Sequence, residues 1–561
     1  MSSSIRSRNR ALLQAETHLR PHGRVGQLSI CLVSPSPYKT GMSSLGFQTV
    51  YSLLAGRAGI RCERGFLPDR EVLEEYRRSG TPLLSLESST PLADFDVIAF
   101  STSFEPDYLN IPLILKLARI PLYSSTRSQS DPLVIAGGAA FFINPEPVAD
   151  LIDAICIGEG EDIIPAVIAT LLSPVDNGRS GLLHALSAIS GVYVPAFYQP
   201  RYHSSALIGY DAEAGAPLPV TRVPVCLERH EPSASQILTE NTEFGDMFLV
   251  EVSRGCPRGC RFCSSGFIYG AFRQQPFDNV VALIDQGLAH RNKVGLVGAA
   301  VSDYAEIGRL CRYIVEKGAK VSVSSLRIDR IDPVMLDALI ASGHKTISLA
   351  PEGGSQRMRD LIRKNLTESQ ILDACGMLIE RDILNLKLYF IIGLPGETDD
   401  DLDELVRLVE TIRERVIERA RVNKRLGEIT LSVNPFIPKP FTPFQWCGME
   451  PLPSLERKVK LLEGRLRRLP NVKLKVESLR ESYLQALLSR GDRRLSALLI
   501  EMAEGANLKK AARSCGIDTN WYVQRTIAGD AVLPWSVIDT ADQAMLRSEH
   551  DRALAGVSGR P

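Results

Sequence analysis

An apolar run, Phe248–Val252, passes through Ser253-Arg254-Gly255 into Cys256-Pro257-Arg258-Gly259-Cys260-Arg261-Phe262-Cys263. A short apolar run of this kind bounded by glycine reads as a buried strand, so three thiols are delivered together in one loop after a strand. Thiolates at C-x3-C-x2-C spacing hold soft metals or iron–sulfur clusters. A structural zinc site would be closed by a fourth Cys or His close by. Here the next cysteine is Cys311, and the nearest histidines are His230 and His290. Three protein ligands on a four-iron cluster leave one iron open to a small molecule, which separates a reactive site from a structural one. The competing reading is an incomplete zinc knuckle or a chance group of buried thiols.

The flanking pattern fits a site at a strand end. Downstream, strands are expected at Val294–Val297, Val321–Ser324, Thr346–Ala350, Leu386–Ile392 and Ile429–Val433. Helices are expected at Asn279–His290, Ala305–Lys317, Pro333–Ala341, Ser355–Arg363, Glu368–Glu380 and Asp400–Arg419. Upstream, Leu28–Ser34, Phe95–Ser101, Leu133–Ala136 and Ala154–Ile157 alternate with helical stretches near Leu45–Ala58 and Tyr108–Ala118. Strands alternating with helices predict parallel sheets, whose ligands sit at the carboxyl ends of the strands.

The cysteine run, with aromatic Phe262 before its last member, resembles the signature of the radical S-adenosylmethionine (SAM) superfamily. That resemblance implies a 4Fe–4S cluster on Cys256, Cys260 and Cys263, SAM on the open iron, and reductive cleavage of SAM to a 5′-deoxyadenosyl radical. It also implies a partial (β/α)6 barrel, which six strands suit better than a closed barrel of eight. The upstream segments, with Gly137-Gly138, Asn144-Pro145-Glu146 and Gly158-Glu159-Gly160-Glu161, resemble the cobalamin-binding-type domain that precedes many radical SAM domains. Gly137, Gly138, Gly158 and Gly160 would then face a corrin. The loop Pro35–Gly41 lacks the Asp-x-His-x-x-Gly histidine that ligates cobalt in many such domains, so occupancy by cobalamin stays open. The later strings Pro438–Trp446 and Ser489-Arg490-Gly491-Asp492-Arg493-Arg494 resemble a largely uncharacterised fused group of the same architecture.

The resulting fold class is α/β. Residues 1–24 are expected as a disordered tail, 25–205 as a doubly wound cobalamin-binding-like domain and 206–245 as a linker. A radical SAM barrel over 246–450 and a helical region over 451–561 complete the chain.

Candidate SAM contacts lie at the barrel's strand ends. Gly298 and Ser302 follow the second strand, where the family's usual acidic residue is missing although Asp303 is close. Ser324, Ser325 and Arg327 end the third; hydroxyls there suit a ribose and the guanidinium fork suits a carboxylate. Glu352 ends the fourth, to bond the ligand or orient Arg327, and Ser355 reads as an N-cap. Gly393 and Pro395 belong to Gly393-Leu394-Pro395-Gly396-Glu397-Thr398, which resembles the family segment near the adenine, while Thr398 with Asp401 reads as a capping pair. The aromatics of Pro435–Trp446 either wall a substrate or cover the core.

Composition excludes more than it assigns. Sixty-five basic residues balance sixty-five acidic ones among 561, so no overall field recruits nucleic acid or an anionic membrane. The basic stretch Leu455–Leu469 reads as a solvated helix face. Eleven cysteines in this length are no disulfide framework, and a reducing, cytosolic setting is expected. Cys31, Cys62 and Cys156 are too scattered for the second cluster of methylthiotransferases and read as core thiols. The partners implied are an unidentified small-molecule or macromolecular substrate and an electron donor such as flavodoxin or ferredoxin. The leading function is a radical SAM enzyme acting on an unactivated C–H position, with cobalamin-assisted methyl transfer as one outcome. The alternatives are a radical rearrangement or C–C bond-forming enzyme without cobalamin, and a non-catalytic iron–sulfur redox sensor.

Overall fold

The alternation of strands and helices resolves into a six-stranded, mostly parallel sheet in one unit and three- and four-stranded parallel sheets in the other, in a computed structural model that describes residues 2–20, 25–174 and 176–558. The first unit comprises Met1–Asp246, Leu488–Tyr522 and Asp530–Thr540; the second comprises Met247–Leu487, Val523–Gly529 and Ala541–Pro561.

In the first unit, β1 (Leu28–Ser34), β2 (Ile60–Phe66), β3 (Val97–Ser101), β4 (Leu133–Gly137), β5 (Ala154–Cys156) and β6 (Val192–Tyr193) form a six-stranded sheet of order β2-β1-β3-β4-β5-β6. All neighbours are parallel except β5 and β6. Cys31, Leu32 and Val33 are buried, the near-continuous apolar reading expected of a strand covered on both faces. The chain leaves β1 for β2 on one side and returns to β3 on the other, which makes the doubly wound order expected from sequence.

The tail is a correction. Ser3–Gln14 is a helix with Ile5 buried, and Glu16 beyond it is sequestered against Arg64, Nη2 to Oε2 at 2.7 Å, with both side chains fully buried. The one acidic residue of a basic tail is thus the counter-ion of an interior arginine, which ties the segment down. Met1 and residues 21–24 of that expectation lie outside the described residues. The expected linker is also built in: Ile237–Leu238 pairs with Thr17–His18, and Val220–Thr221 with Ile538–Asp539.

In the second unit, β7 (Phe248–Glu251), β8 (Lys293–Val297) and β9 (Lys320–Ser322) run parallel, as do β10 (Thr346–Glu352), β11 (Asn385–Ile392), β12 (Ile429–Pro435) and β13 (Val472–Val476). A parallel bridge from Leu326 to Leu349 joins the two sets. Helices fall between them: α1 (Phe277–Leu288), α2 (Ile307–Glu316), α3 (Pro333–Ala341), α4 (Glu368–Glu380) and α5 (Asp399–Asn423). The six expected strands are present. Two of the longer strands of the main sheets are not among those expected: β2 (Ile60–Phe66) in the first unit, and here β13, a period-two Val-Lys-Leu-Lys-Val set between basic helices.

The region from 451 onward is therefore not one helical domain. Its first helix, α6 (Leu452–Leu466), spends three of its four basic residues on acids near the start of α5: Arg457 on Asp399, Lys458 on Glu397 and Arg465 on Asp403. The last helix, α7 (Gln543–Ser558), also belongs to this unit. No helix among the described residues is long and apolar enough to cross a membrane.

Candidate active site at the cysteine loop

Strand β7 ends at Glu251, and Gly255 at φ 80° turns the chain into the cysteine loop, a conformation that favours glycine. The Cys263 N–H donates to the Cys260 carbonyl at 3.1 Å, closing the turn that carries both thiols. Burial first of all, and then the neighbouring Cys260 sulfur, holds the Cys263 thiol above its usual range; Cys256 is raised by burial as well. Such thiols bind metal with release of protons. Among the described residues no three His, Cys, Asp or Glu side chains converge as a mononuclear metal cage. A cubane asks for a different arrangement, since its thiolates sit on separate irons instead of meeting at a point. Phe262 packs on a buried apolar cluster that includes Leu361, Ile362, Phe436 and Phe444, which holds the loop to the barrel.

The residues beside the loop form a charged network. Arg258, between the first two cysteines, donates to Asp303 Oδ1 at 2.5 Å and lies 3.3 Å from Asp329 Oδ2. Asp303 follows β8 and Asp329 follows β9, so one guanidinium ties the cysteine loop to two strand ends. Arg327 Nε lies 2.6 Å from Asp329 Oδ1 but is not aligned as a hydrogen bond, so that contact is ionic. Several buried atoms here have no hydrogen-bond partner: Ser253 Oγ, Arg258 Nε, Asp303 Oδ2, Asp329 Oδ1 and, at the end of β12, Asn434 Oδ1. The Asp303 side chain is only 6% exposed. Leaving a buried polar group unpaired costs about 1–3 kcal/mol, and such groups are rare enough in folded proteins to call for a reason.

The other candidates take these places. Gly298 is required by packing, because a Cβ would come 2.7 Å from Ser253 Oγ. Ser302 is buried and accepts the Arg327 N–H at 3.4 Å, while Ser324 and Ser325 are exposed. Arg327 already spends its charge on Asp329 and also donates to the Lys364 carbonyl. Glu352 does not orient Arg327; its Oε1 accepts from Lys364 Nζ at 3.4 Å. Its φ of 64° follows a register shift in β10, a strained geometry of the kind that collects at functional sites. Gly393, at φ 75°, donates its N–H to Glu397 Oε2 at 2.7 Å, with Pro395 half-buried beyond it. Ser355 caps its helix, and Thr398 with Asp401 forms the capping box, as the sequence predicts. Phe436, Phe441, Phe444 and Trp446 are all buried, so these aromatics cover the core.

The glycines of the first unit do not fit a corrin cradle. A Cβ at Gly138 would meet the Thr102 carbonyl at 2.3 Å, and one at Gly158 the Val223 carbonyl at 2.7 Å. At Gly160 it would meet Ile164 Cδ1 at 3.0 Å, and at Gly137 Cys156 Cβ at 3.5 Å. The space those glycines spare is filled by their own chain. Loops at the carboxyl ends of β3 and β4 bond the late segment Ser489–Ser496. Asn144 donates to the Ser489 and Gly491 carbonyls, Ser489 donates to Glu105, and Arg493 clasps Glu146. Cys31 and Cys62 are buried on adjacent strands and Cys156 lies on β5, each in the core packing expected of it.

The family described as "Radical SAM superfamily" matches residues 250–409, and "Radical SAM proteins, N-terminal" matches residues 46–195. An uncharacterised protein of Methanocaldococcus jannaschii is 28% identical over 84% of this chain and 90% of its own length. A tRNA-2-methylthio-N(6)-dimethylallyladenosine synthase of Methylococcus capsulatus is 29% identical over 31% of this chain and 42% of that enzyme. Among solved structures, the cobalamin-dependent SAM radical enzyme OxsB with aqua-cobalamin bound aligns at TM-score 0.45 and 15% identity, over 68% of this chain and 52% of that one. Residues 46–195 and 250–409 thus carry the N-terminal and radical SAM domains of radical SAM enzymes, whose cofactors are a 4Fe–4S cluster and SAM.

Proposed function

We propose that the second unit binds SAM beside a cluster on Cys256, Cys260 and Cys263 and abstracts hydrogen from an unactivated carbon of its substrate. The observation that carries this reading is the set of buried acceptors without partners, Ser253 Oγ, Asp303 Oδ2 and Asn434 Oδ1, at the carboxyl ends of barrel strands. A ligand bearing an ammonium and ribose hydroxyls supplies the donors they lack. Bound here, a 4Fe–4S cluster and SAM supply reductive sulfonium cleavage and hydrogen-atom abstraction.

The chain's own groups bind and orient. Arg258 holds Asp303 with one oxygen engaged and the other free for a cationic donor. Gly298 lets its strand end approach Ser253 closely. The buried Pro435–Trp446 segment keeps water from the core beneath. The electron comes from an external donor of the flavodoxin or ferredoxin class. Of the reaction outcomes, rearrangement or carbon–carbon bond formation without cobalamin is favoured by the filled glycine positions of the first unit. A pure redox sensor would not need unpaired acceptors at the strand ends. Anaerobic, dithionite-reduced protein supplied with SAM is expected to release 5′-deoxyadenosine and methionine; reduced, cluster-loaded protein that makes none would shift the account to the sensor.

A further inference from the structure

The last helix reaches back across the sequence to the cysteine loop. Glu549 on α7 is 6% exposed, and its Oε2 lies 3.2 Å from Arg261 Nε, Arg261 Nη2 and Arg363 Nη1 alike. Its other oxygen accepts from Arg552 at 2.7 Å. Arg261 is the residue between Cys260 and Phe262. It donates from Nη1 to the Leu361 carbonyl and from its backbone to Ile362, and its own carbonyl accepts from Phe444. The Arg363 guanidinium covers Gly259, where a Cβ would meet Nη1 at 3.1 Å.

One turn beyond Glu549, and so on the same helix face, Ala553 belongs to the buried cluster against which Phe262 packs. The helix is itself anchored: His550 Nδ1 lies 2.9 Å from the Pro443 carbonyl, and Gln543 accepts from Gln445. Each residue from Gly259 to Phe262 other than Cys260 is thus held by α7 directly or by a group that α7 holds. A carboxylate buried among three guanidiniums is a poor choice for stability alone, because breaking up such charges in favour of apolar packing is often neutral or better. Its value is positional, since one carboxylate oxygen met by both Nε and Nη2 fixes the direction of Arg261 as contact with a single nitrogen would not.

We propose that α7 is a latch on the cysteine loop, with Glu549 the positioning residue that fixes Arg261 and so the Cys260–Cys263 turn for the cluster. The inference rests on the cluster reading above. If wild-type protein assembles no cluster, that reading fails; if it does and Glu549 makes no difference, only the latch fails.

The test compares reconstituted wild type with Glu549→Gln, Arg261→Gln, Arg261→Lys and Arg552→Gln. All are first checked for folding by circular dichroism and thermal midpoint. Each is then mixed anaerobically with the iron chelator bathophenanthroline disulfonate, and the reduced cluster is examined by electron paramagnetic resonance. Glu549→Gln and Arg261→Gln should each lose iron at least tenfold faster than wild type, with an altered resonance line shape. A protein carrying both Glu549→Gln and Arg261→Gln should lose iron no faster than either single variant. Arg261→Lys, which keeps the charge but not the fork, should fall between, and Arg552→Gln, whose side chain is exposed and touches only the other oxygen, should match wild type. If Glu549→Gln does not fold, the Arg261 pair carries the same comparison. Wild-type iron loss and line shape in folded Glu549→Gln, or in folded Arg261→Gln where it stands in, would overturn the proposal.

Discussion

Replacing Lys458 by methionine removes the cation from a buried group of three charges behind the fifth strand's glycine turn. Lys458 Nζ lies 2.8 Å from Glu397 Oε2 and 2.7 Å from Glu450 Oε2, and the Lys458 and Glu397 side chains are each 3% exposed. At an effective dielectric near 20, each contact represents a gross attraction of about 6 kcal/mol, most of it offset by desolvation. Removing one partner strands the rest, at a cost of about 3–5 kcal/mol. Burial, which outweighs Lys458, pushes the Glu397 carboxyl up to about 7 from its ordinary 4.5. A carboxyl raised in the folded state binds protons more tightly there than when unfolded, so its contribution to stability falls as pH rises between those values, by roughly 3 kcal/mol over the window. Without the lysine the carboxylate form is worse still and the neutral form is spared.

Lys458→Met should therefore cost about 3–5 kcal/mol at pH 8 and clearly less at pH 6. The loss should be local. Hydrogen exchange by mass spectrometry, reading opening free energies for peptides spanning 393–400 and 450–460 in wild type and variant at both pH values, measures it where it occurs. Equal destabilisation at pH 6 and pH 8, or a loss below about 1 kcal/mol at pH 8, would refute the reasoning, because either means that Glu397 is not a buried carboxyl held ionised by Lys458.

Two further outcomes follow from the two units. Asp303→Asn should weaken SAM binding to reconstituted protein by about 1.5–3 kcal/mol in calorimetry while leaving iron content unchanged, and an unaltered affinity would remove Asp303 from the ligand site. Hydroxocobalamin added during reconstitution should pass through on desalting, leaving no corrin bands; stoichiometric retention would mean that the first unit's glycines do not pack as the structure has them.

What the sequence could and could not carry divides by range. The cysteine turn, the Ser355 cap, the Thr398–Asp401 box and the six barrel strands are local signals, written in runs of a few residues, and the strand ends fall within two residues of those expected. Arg258 was visible between its cysteines, but its partners Asp303 and Asp329 lie beyond the intervening strands, and nothing in a charge's type names its mate. Glu549 meets Arg261 across 288 positions. The Ser489–Arg494 string and Asn144-Pro145-Glu146 each drew attention separately, and only the fold brings them together. The tail misled because a basic, Ser-rich composition reads as disorder when its single buried glutamate has no known counter-ion. β13 and β2 are exceptions: the alternation of β13 is local but lies between basic helices, and the polar Arg61, Glu63 and Arg64 of β2 mask a strand.

The central claim is that Cys256, Cys260 and Cys263 alone hold one open-sited cluster. Iron and acid-labile sulfide counted per chain after anaerobic reconstitution test it most directly. Wild type should carry about four of each, Cys31→Ala, Cys62→Ala and Cys156→Ala should match it, and Cys256→Ala, Cys260→Ala or Cys263→Ala should lose nearly all. Stoichiometric zinc in place of iron, or about eight irons lost by half on changing Cys31, would contradict the account.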